Sequence, residues 1–136
     1  MYLQFMVDGD DFLRAGEASA AVKRTLKQLG LESSLIRRIA IAMYEAEMNM
    51  VLHANGGKIE VNLSDTYLSI LLKDTGPGIV DVNLAMQEGY STATQKIREL
   101  GFGAGMGLPN MKRYSDELKI TTIVGVGTEI LLGYQL

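Results

Sequence analysis

Residues 58–79 read KIEVNLSDTYLSILLKDTGPGI. Ile59, Val61 and Leu63 alternate with Lys58, Glu60 and Asn62, and Leu68, Ile70 and Leu72 alternate with Ser69 and Lys73. Period two predicts two strands, each with one apolar face. Ser64-Asp65-Thr66 is the hairpin loop between them. The same alternation puts Asp74 on the face of Leu68, Ile70 and Leu72, so a carboxylate ends a strand on its buried side. A buried carboxylate needs hydrogen-bond donors. Thr75-Gly76-Pro77-Gly78 follows, a turn that leaves space rather than side chains. An incoming amino group of the kind adenine carries would satisfy Asp74. A turn-capping Asp bonded to its own backbone fits the same residues.

Upstream, Tyr2 to Val7 reads as a short strand. Asp10 and Asp11 suit the cap of a helix to about Leu29, with Leu13, Ala20, Leu26 and Leu29 as its apolar stripe and Gly30 as its stop. Ser33 or Ser34 opens a second helix to about His53. Its sequence is apolar nearly all round, which predicts burial on more than one side. Asn55-Gly56-Gly57 is a turn. Downstream, residues 81–103 are too polar for a core element, and a connection this long is usually a functional lid. A helix from about Met106 to Ser115 follows, with Pro109 near its start. Strands over Leu118–Val124 and Thr128–Tyr134, joined at Gly125-Val126-Gly127, complete the order. The expectation is one α/β (α+β) domain over residues 1–136: a two-layer sandwich with helices on one face of a mixed, mostly antiparallel sheet.

Composition excludes several functions. The chain has 136 residues, 47% of them apolar, enough for one sizeable core. Net charge is −3, which argues against a nucleic-acid partner, since phosphate neutralisation needs a basic surplus. Without cysteine there is no disulfide or thiolate chemistry, and one histidine makes no histidine-rich metal site. No apolar run reaches membrane-spanning length, and the N-terminus lacks signal-peptide character. A cytoplasmic protein with no membrane partner is the default.

Three further groups of residues carry chemistry. Glu45 and Asn49, four apart, share one side of the second helix with Ile41, Met48 and Leu52. A carboxylate and a carboxamide there suit a base and a hard-metal ligand, since Mg²⁺ prefers oxygen donors. Two polar residues at the edge of an amphipathic helix would look the same. His53, a turn further on, suits a capping or packing residue, and Glu47 is expected to point into solvent. The run Gly101-Phe-Gly-Ala-Gly-Met-Gly107 leaves backbone N–H groups free to approach an anion just before a helix. It lacks the G-K-[ST] of a Walker loop and the spacing of a dinucleotide fingerprint. A flexible hinge for the lid fits the same residues. Thr128 shares a strand face with Ile130 and Leu132, so its hydroxyl is directed inward, and taken alone it reads as a packed threonine bonded to backbone.

In order, these are E-x-x-x-N on a buried helix, D-x-G-x-G after a strand, a polar lid, G-x-G-x-G before a helix, and G-T opening a strand. The pattern, over roughly Ser33 to Leu136, resembles the GHKL (Bergerat-fold) ATPases. The size of the chain and the wording DTGPGI, LAMQEGYST and GFGAGMGL are most similar to the anti-sigma-factor serine kinases of bacterial partner switches. The chain departs from them by a polar insertion, Ala93 to Leu100. The resemblance implies a Bergerat ATP-binding fold, with ATP and Mg²⁺ as cofactors. It implies Glu45 as general base, Asn49 as Mg²⁺ ligand, and Asp74 on the adenine amino group with Gly76 and Gly78 making room. Thr128 would support adenine through a water, and Gly103, Gly105, Met106 and Gly107 would hold the phosphates. It also implies a STAS-domain antagonist as phosphoryl acceptor, with a sigma factor or another output protein as target; a homodimer is possible. A nucleotide-gated module that sequesters its partner without catalysis is the alternative.

Overall fold

The computed structural model describes residues 1–9, 11, 13–53, 56–79, 81–87 and 107–136. The expected phosphate-loop residues Gly103, Gly105 and Met106, the lid from residue 88 onward and the His53 side chain lie outside them. In chain order the elements are β1 (Tyr2–Asp8), α1 (Glu17–Gln28), α2 (Ser33–His53), β2 (Gly56–Leu63), β3 (Tyr67–Asp74), α3 (Val82–Ala85), α4 (Gly107–Arg113), β4 (Glu117–Ile123) and β5 (Gly127–Gln135).

The alternating stretch forms β2 and β3, paired antiparallel with Leu63 opposite Leu68 and Gly57 opposite Asp74. The five strands lie in the order β1-β2-β3-β5-β4, and every pairing among them is antiparallel. The apolar partners fall in rows across the sheet: Ile59 opposite Leu72 opposite Ile130, and Val61 opposite Ile70 opposite Leu132. All six are buried. A one-residue slip would turn each row to solvent, so burial fixes the register.

The helices cover this face. Ile36, Ile39, Met43, Ala46 and Met50 of α2 recur at steps of three and four and join Val22 and Leu26 of α1 in one core. Leu108 and Met111 of α4 complete it. Ala42, Met48 and Val51 are buried too, so α2 is enclosed on more than one side, as its composition predicts. Among the described residues no helix is long and apolar enough to cross a membrane.

Two expectations fail at α1. The helix starts at Glu17, not beside Asp10 and Asp11, and its cap residue is Gly16 at φ 94°, with no side-chain cap bond. Its buried stripe is Ala18, Ser19, Val22 and Leu26, while Leu13 is 98% exposed and Leu29 51%. The missing cap is explained by the second failure, at Glu47, which is buried rather than solvated. Its Oε2 accepts from the Gly16 and Ala18 N–H groups at 2.9 and 3.3 Å. Its Oε1 accepts from Ser19 N–H and Ser19 Oγ at 2.9 and 2.7 Å. A helix N-terminus needs acceptors for its first amides, and here they come from a helix about thirty residues away.

Candidate functional site

The β3 strand delivers Asp74 to the sheet end where the 75–79 turn meets the β4–β5 hairpin. Asp74 Oδ1 accepts from Gly76 N–H at 3.0 Å and from Thr128 N–H at 3.1 Å. The first bond is the turn-capping contact that the sequence suggests. Oδ2 receives no protein donor among the described residues. One carboxylate oxygen therefore holds the turn to β5, and the other is left to an external donor.

The surroundings are closely packed. Thr128 is buried, and its hydroxyl lies 2.9 Å from Thr122 Oγ1, which accepts from Ile79 N–H at 2.8 Å. Gly125 N–H donates to Pro77 O at 2.8 Å. The turn and the hairpin tip are thus laced together. Two glycines permit this approach: a Cβ at Gly127 would fall 2.1 Å from Asp74 O, and one at Gly78, whose φ is +80°, 2.8 Å from Ile123 O. Sequence patterning singled out Gly78 and Thr128; it missed Thr122, whose role exists only across the hairpin.

The second half of the site is built by α2 and α4. Glu45 and Asn49, both half-buried, lie one helical turn apart under the first residue of α4. A Cβ on Gly107 would sit 3.4 Å from Asn49 Oδ1 and 3.7 Å from Glu45 Oε2. Gly107 thus leaves a space one methyl deep above two side-chain oxygens. Asn110 Nδ2 donates to Glu45 Oε1 at 3.4 Å. No motif marks Asn110, because its contact is made between helices distant in the chain. The two halves border the same stretch of helix. Gly57, the strand partner of Asp74, packs on Met50, the residue after Asn49: a Cβ there would fall 2.8 Å from Met50 Cε and 2.9 Å from Asp74 Cα.

The donor set fits a magnesium–nucleotide pair. Among the described residues there is no cluster of three metal-ligating side chains. Mg²⁺ needs none here, since it is commonly held by one or two protein oxygens with substrate phosphates and water. Asn49 Oδ1 supplies a hard oxygen, and Asp74 Oδ2 supplies an acceptor for an amino group. Glu45 is also among the residues that line a cavity of about 420 Å³ between α1 and α2, with Gly16, Ala20, Ala40, Ile41 and Tyr44 together with Lys23 and Arg37.

A family model described as histidine kinase-like ATPase domain matches residues 12–134. The serine/threonine-protein kinase RsbT of Bacillus subtilis is 34% identical over 112 residues, which cover 79% of this chain and 78% of that protein. The anti-sigma F factor of Pasteuria penetrans is 31% identical over 120 residues, 83% of this chain and 77% of that one. Among solved structures, the RsbU and RsbW domains from Mycobacterium tuberculosis match with a TM-score of 0.67 at 19% identity, over all of this chain and 32% of that one. The mycobacterial sensor histidine kinase MprB matches with a TM-score of 0.56 at 14% identity, over 99% and 97% of the two chains. Both structures share the fold described above.

Proposed function

This chain belongs to the histidine kinase-like ATPase domain family, and on that premise we propose that it is a protein kinase of the anti-sigma regulatory type. It binds ATP with Mg²⁺ and transfers the γ-phosphoryl group to a serine or threonine hydroxyl of a STAS-domain antagonist, which in turn governs a sigma factor or another output protein. The observation that carries this reading is the meeting of Glu45, Asn49 and Gly107 over one small open space, beside a surface cavity.

Each residue has a separate task. Asp74 Oδ2 accepts from the adenine amino group, while Oδ1 keeps the turn in place. Gly76 and Gly78 border the base, and Thr128 supports it from the buried side. Asn49 Oδ1 is the protein ligand for Mg²⁺, which when bound neutralises phosphate charge and orients the transferred group. Gly107, with Gly103, Gly105 and Met106, brackets the phosphates. Asn110 holds Glu45 Oε1, leaving Oε2 to take a proton. In the transfer, the acceptor oxygen forms a bond to the γ-phosphorus as the bond to the β-phosphate bridging oxygen breaks. ADP leaves with that electron pair, and the hydroxyl proton passes to Glu45. Positioning and charge stabilisation supply most of such a rate enhancement.

The test is incubation with γ-labelled Mg·ATP and a STAS-domain antagonist from the same genome. Label on a serine or threonine of that protein is the expected result. Nucleotide binding without any transfer would favour the sequestering module, in keeping with relatives named as anti-sigma factors.

A further inference from the structure

We propose that Thr122 is a positioning residue for the base: it holds the Thr128 hydroxyl as a donor toward adenine and fixes the Ile79 amide in the turn beside it. This rests on the reading that adenine lies against Asp74.

The strand pattern marks Thr122 as an exception. β4 alternates exposed residues with Leu118, Ile120 and Thr122, which share its helix-facing side. Leu118 and Ile120 pack against the core. A third apolar residue would continue the row, yet this position carries a hydroxyl. Its register partner on β5 is Thr128, a second hydroxyl and a buried one. Hydroxyls on this side of a sheet have to find partners for their protons and lone pairs.

The proton count sets the direction of these bonds. A hydroxyl has one proton and two lone pairs. Ile79 N–H donates to Thr122 Oγ1 at 2.8 Å and takes one lone pair. The Thr122 proton has two acceptors in range, Gly127 O at 3.4 Å and Thr128 Oγ1 at 2.9 Å. Hydroxyl bonds centre at about 2.7–2.8 Å, so the nearer oxygen is the better acceptor. Thr122 therefore donates to Thr128; the opposite order would leave its proton only the longer contact. The Thr128 proton is then directed elsewhere, and among the described residues it has no acceptor.

That unpaired donor lies beside an unpaired acceptor. Thr128 N–H holds Asp74 Oδ1, and Oδ2 receives no protein donor among the described residues. The edge of adenine carries the complement, an amino group that donates and, next to it, a ring nitrogen that accepts. Guanine has the reverse order there, a carbonyl and a ring N–H. The Thr122–Thr128 bond thus helps decide which base edge is matched, whether Thr128 meets the ring nitrogen directly or through one water. The second bond steadies the same wall. The turn that borders the base is tied at Ile79 by Thr122 and at Pro77 by the Gly125 amide.

The probe is Mg·1-deaza-ATP, in which a C–H replaces that ring nitrogen while the amino group, sugar and phosphates are kept. Calorimetry on the native protein should show ATP bound about fivefold more tightly than the deaza nucleotide, as expected for one hydrogen bond. In Thr122→Val a methyl group replaces the hydroxyl and cannot remain at hydrogen-bond distance from the Thr128 oxygen, so that hydroxyl loses its direction. The preference for ATP should fall to within about twofold. Thr122→Ala, with less bulk at the same place, should do likewise, and Thr122→Ser, which keeps the hydroxyl, should retain the native preference. A residue that served only the fold would change the affinity for both nucleotides alike. An unchanged preference in Thr122→Val and Thr122→Ala, or a native protein that binds ATP and 1-deaza-ATP equally, would overturn the proposal and leave ATP binding standing. A native protein that binds neither would overturn the nucleotide reading and the proposal with it.

Discussion

Asp74 holds the turn with one carboxylate oxygen, the proposed function gives the other to adenine, and substitution can separate the two. Asn at this position keeps an oxygen for the Gly76 and Thr128 amides and turns its NH₂ toward the ligand side. The fold should survive, while Mg·ATP affinity falls. A hydrogen bond to a charged group contributes about 1.5–3 kcal/mol, so calorimetry on Asp74→Asn should show a loss of roughly tenfold to a hundredfold. Equal affinity would remove adenine recognition from this residue. Gly107→Ala makes the complementary point. Its methyl group meets Asn49 and Glu45 at ordinary contact distances, so the melting temperature should stay within about 2 °C of the native value. The methyl fills the space above both oxygens, and nucleotide affinity should drop. Unchanged affinity would move the phosphates elsewhere. The placement of Asp74, Glu45 and Asn49 on their elements was legible in the sequence, because strand and helix periodicities set it. Asn110 and Thr122 were not, because each acts across a contact between elements far apart in the chain.

Between elements, the same limit explains α1. Its real cap is the buried Glu47, whose four donors all come from the α1 N-terminus. Pattern alone reads Glu47 as solvated, since nothing local reveals that another helix end abuts it. Glu47→Ala leaves three amides and a hydroxyl without acceptors in the interior, at about 1–3 kcal/mol for each unsatisfied group before relaxation. A fall in melting temperature of roughly 10 °C or more is expected. Ser19→Ala, which removes one bond, should cost only about 1 kcal/mol. Thermal unfolding followed by circular dichroism measures both, and a Glu47→Ala protein as stable as the native one would contradict this role.

A second tie joins α2 to the end of β5. Arg38 donates to Asp116 Oδ1 at 2.8 Å, and Gln135 N–H donates to Oδ2 at 2.8 Å. The Arg38 hydrogen bond, followed by that of the Gln135 amide, lowers the Asp116 carboxyl below its usual range. The folded-state value therefore lies below that of the unfolded chain. Its stabilising contribution is full above about pH 4 and is lost as pH falls through the depressed value. Denaturant titrations across pH 2–6 should show part of the acid-side loss of stability disappear in Asp116→Asn. An unchanged acid profile would mean that the tie contributes nothing.

On the scale of the whole molecule, an antiparallel sheet and a crossing α2 bring the two halves of the site to one side. The hairpin of residues 58–74 was legible because its apolar faces follow period two without interruption. The placement of β5 between β3 and β4 was not, because short-range patterning carries no information on which distant strand fills a sheet position. In the proposed mechanism the proton goes to Glu45, whose Oε2 shares with Asn49 Oδ1 the space beside Gly107. The most direct measurement is a paired assay on Glu45→Ala: Mg·ATP affinity by calorimetry, and γ-phosphoryl transfer to the STAS-domain antagonist. A general base contributes about 10²–10⁴-fold, so transfer should fall by that factor while affinity stays within a few-fold of the native protein. Transfer at the native rate would contradict the account.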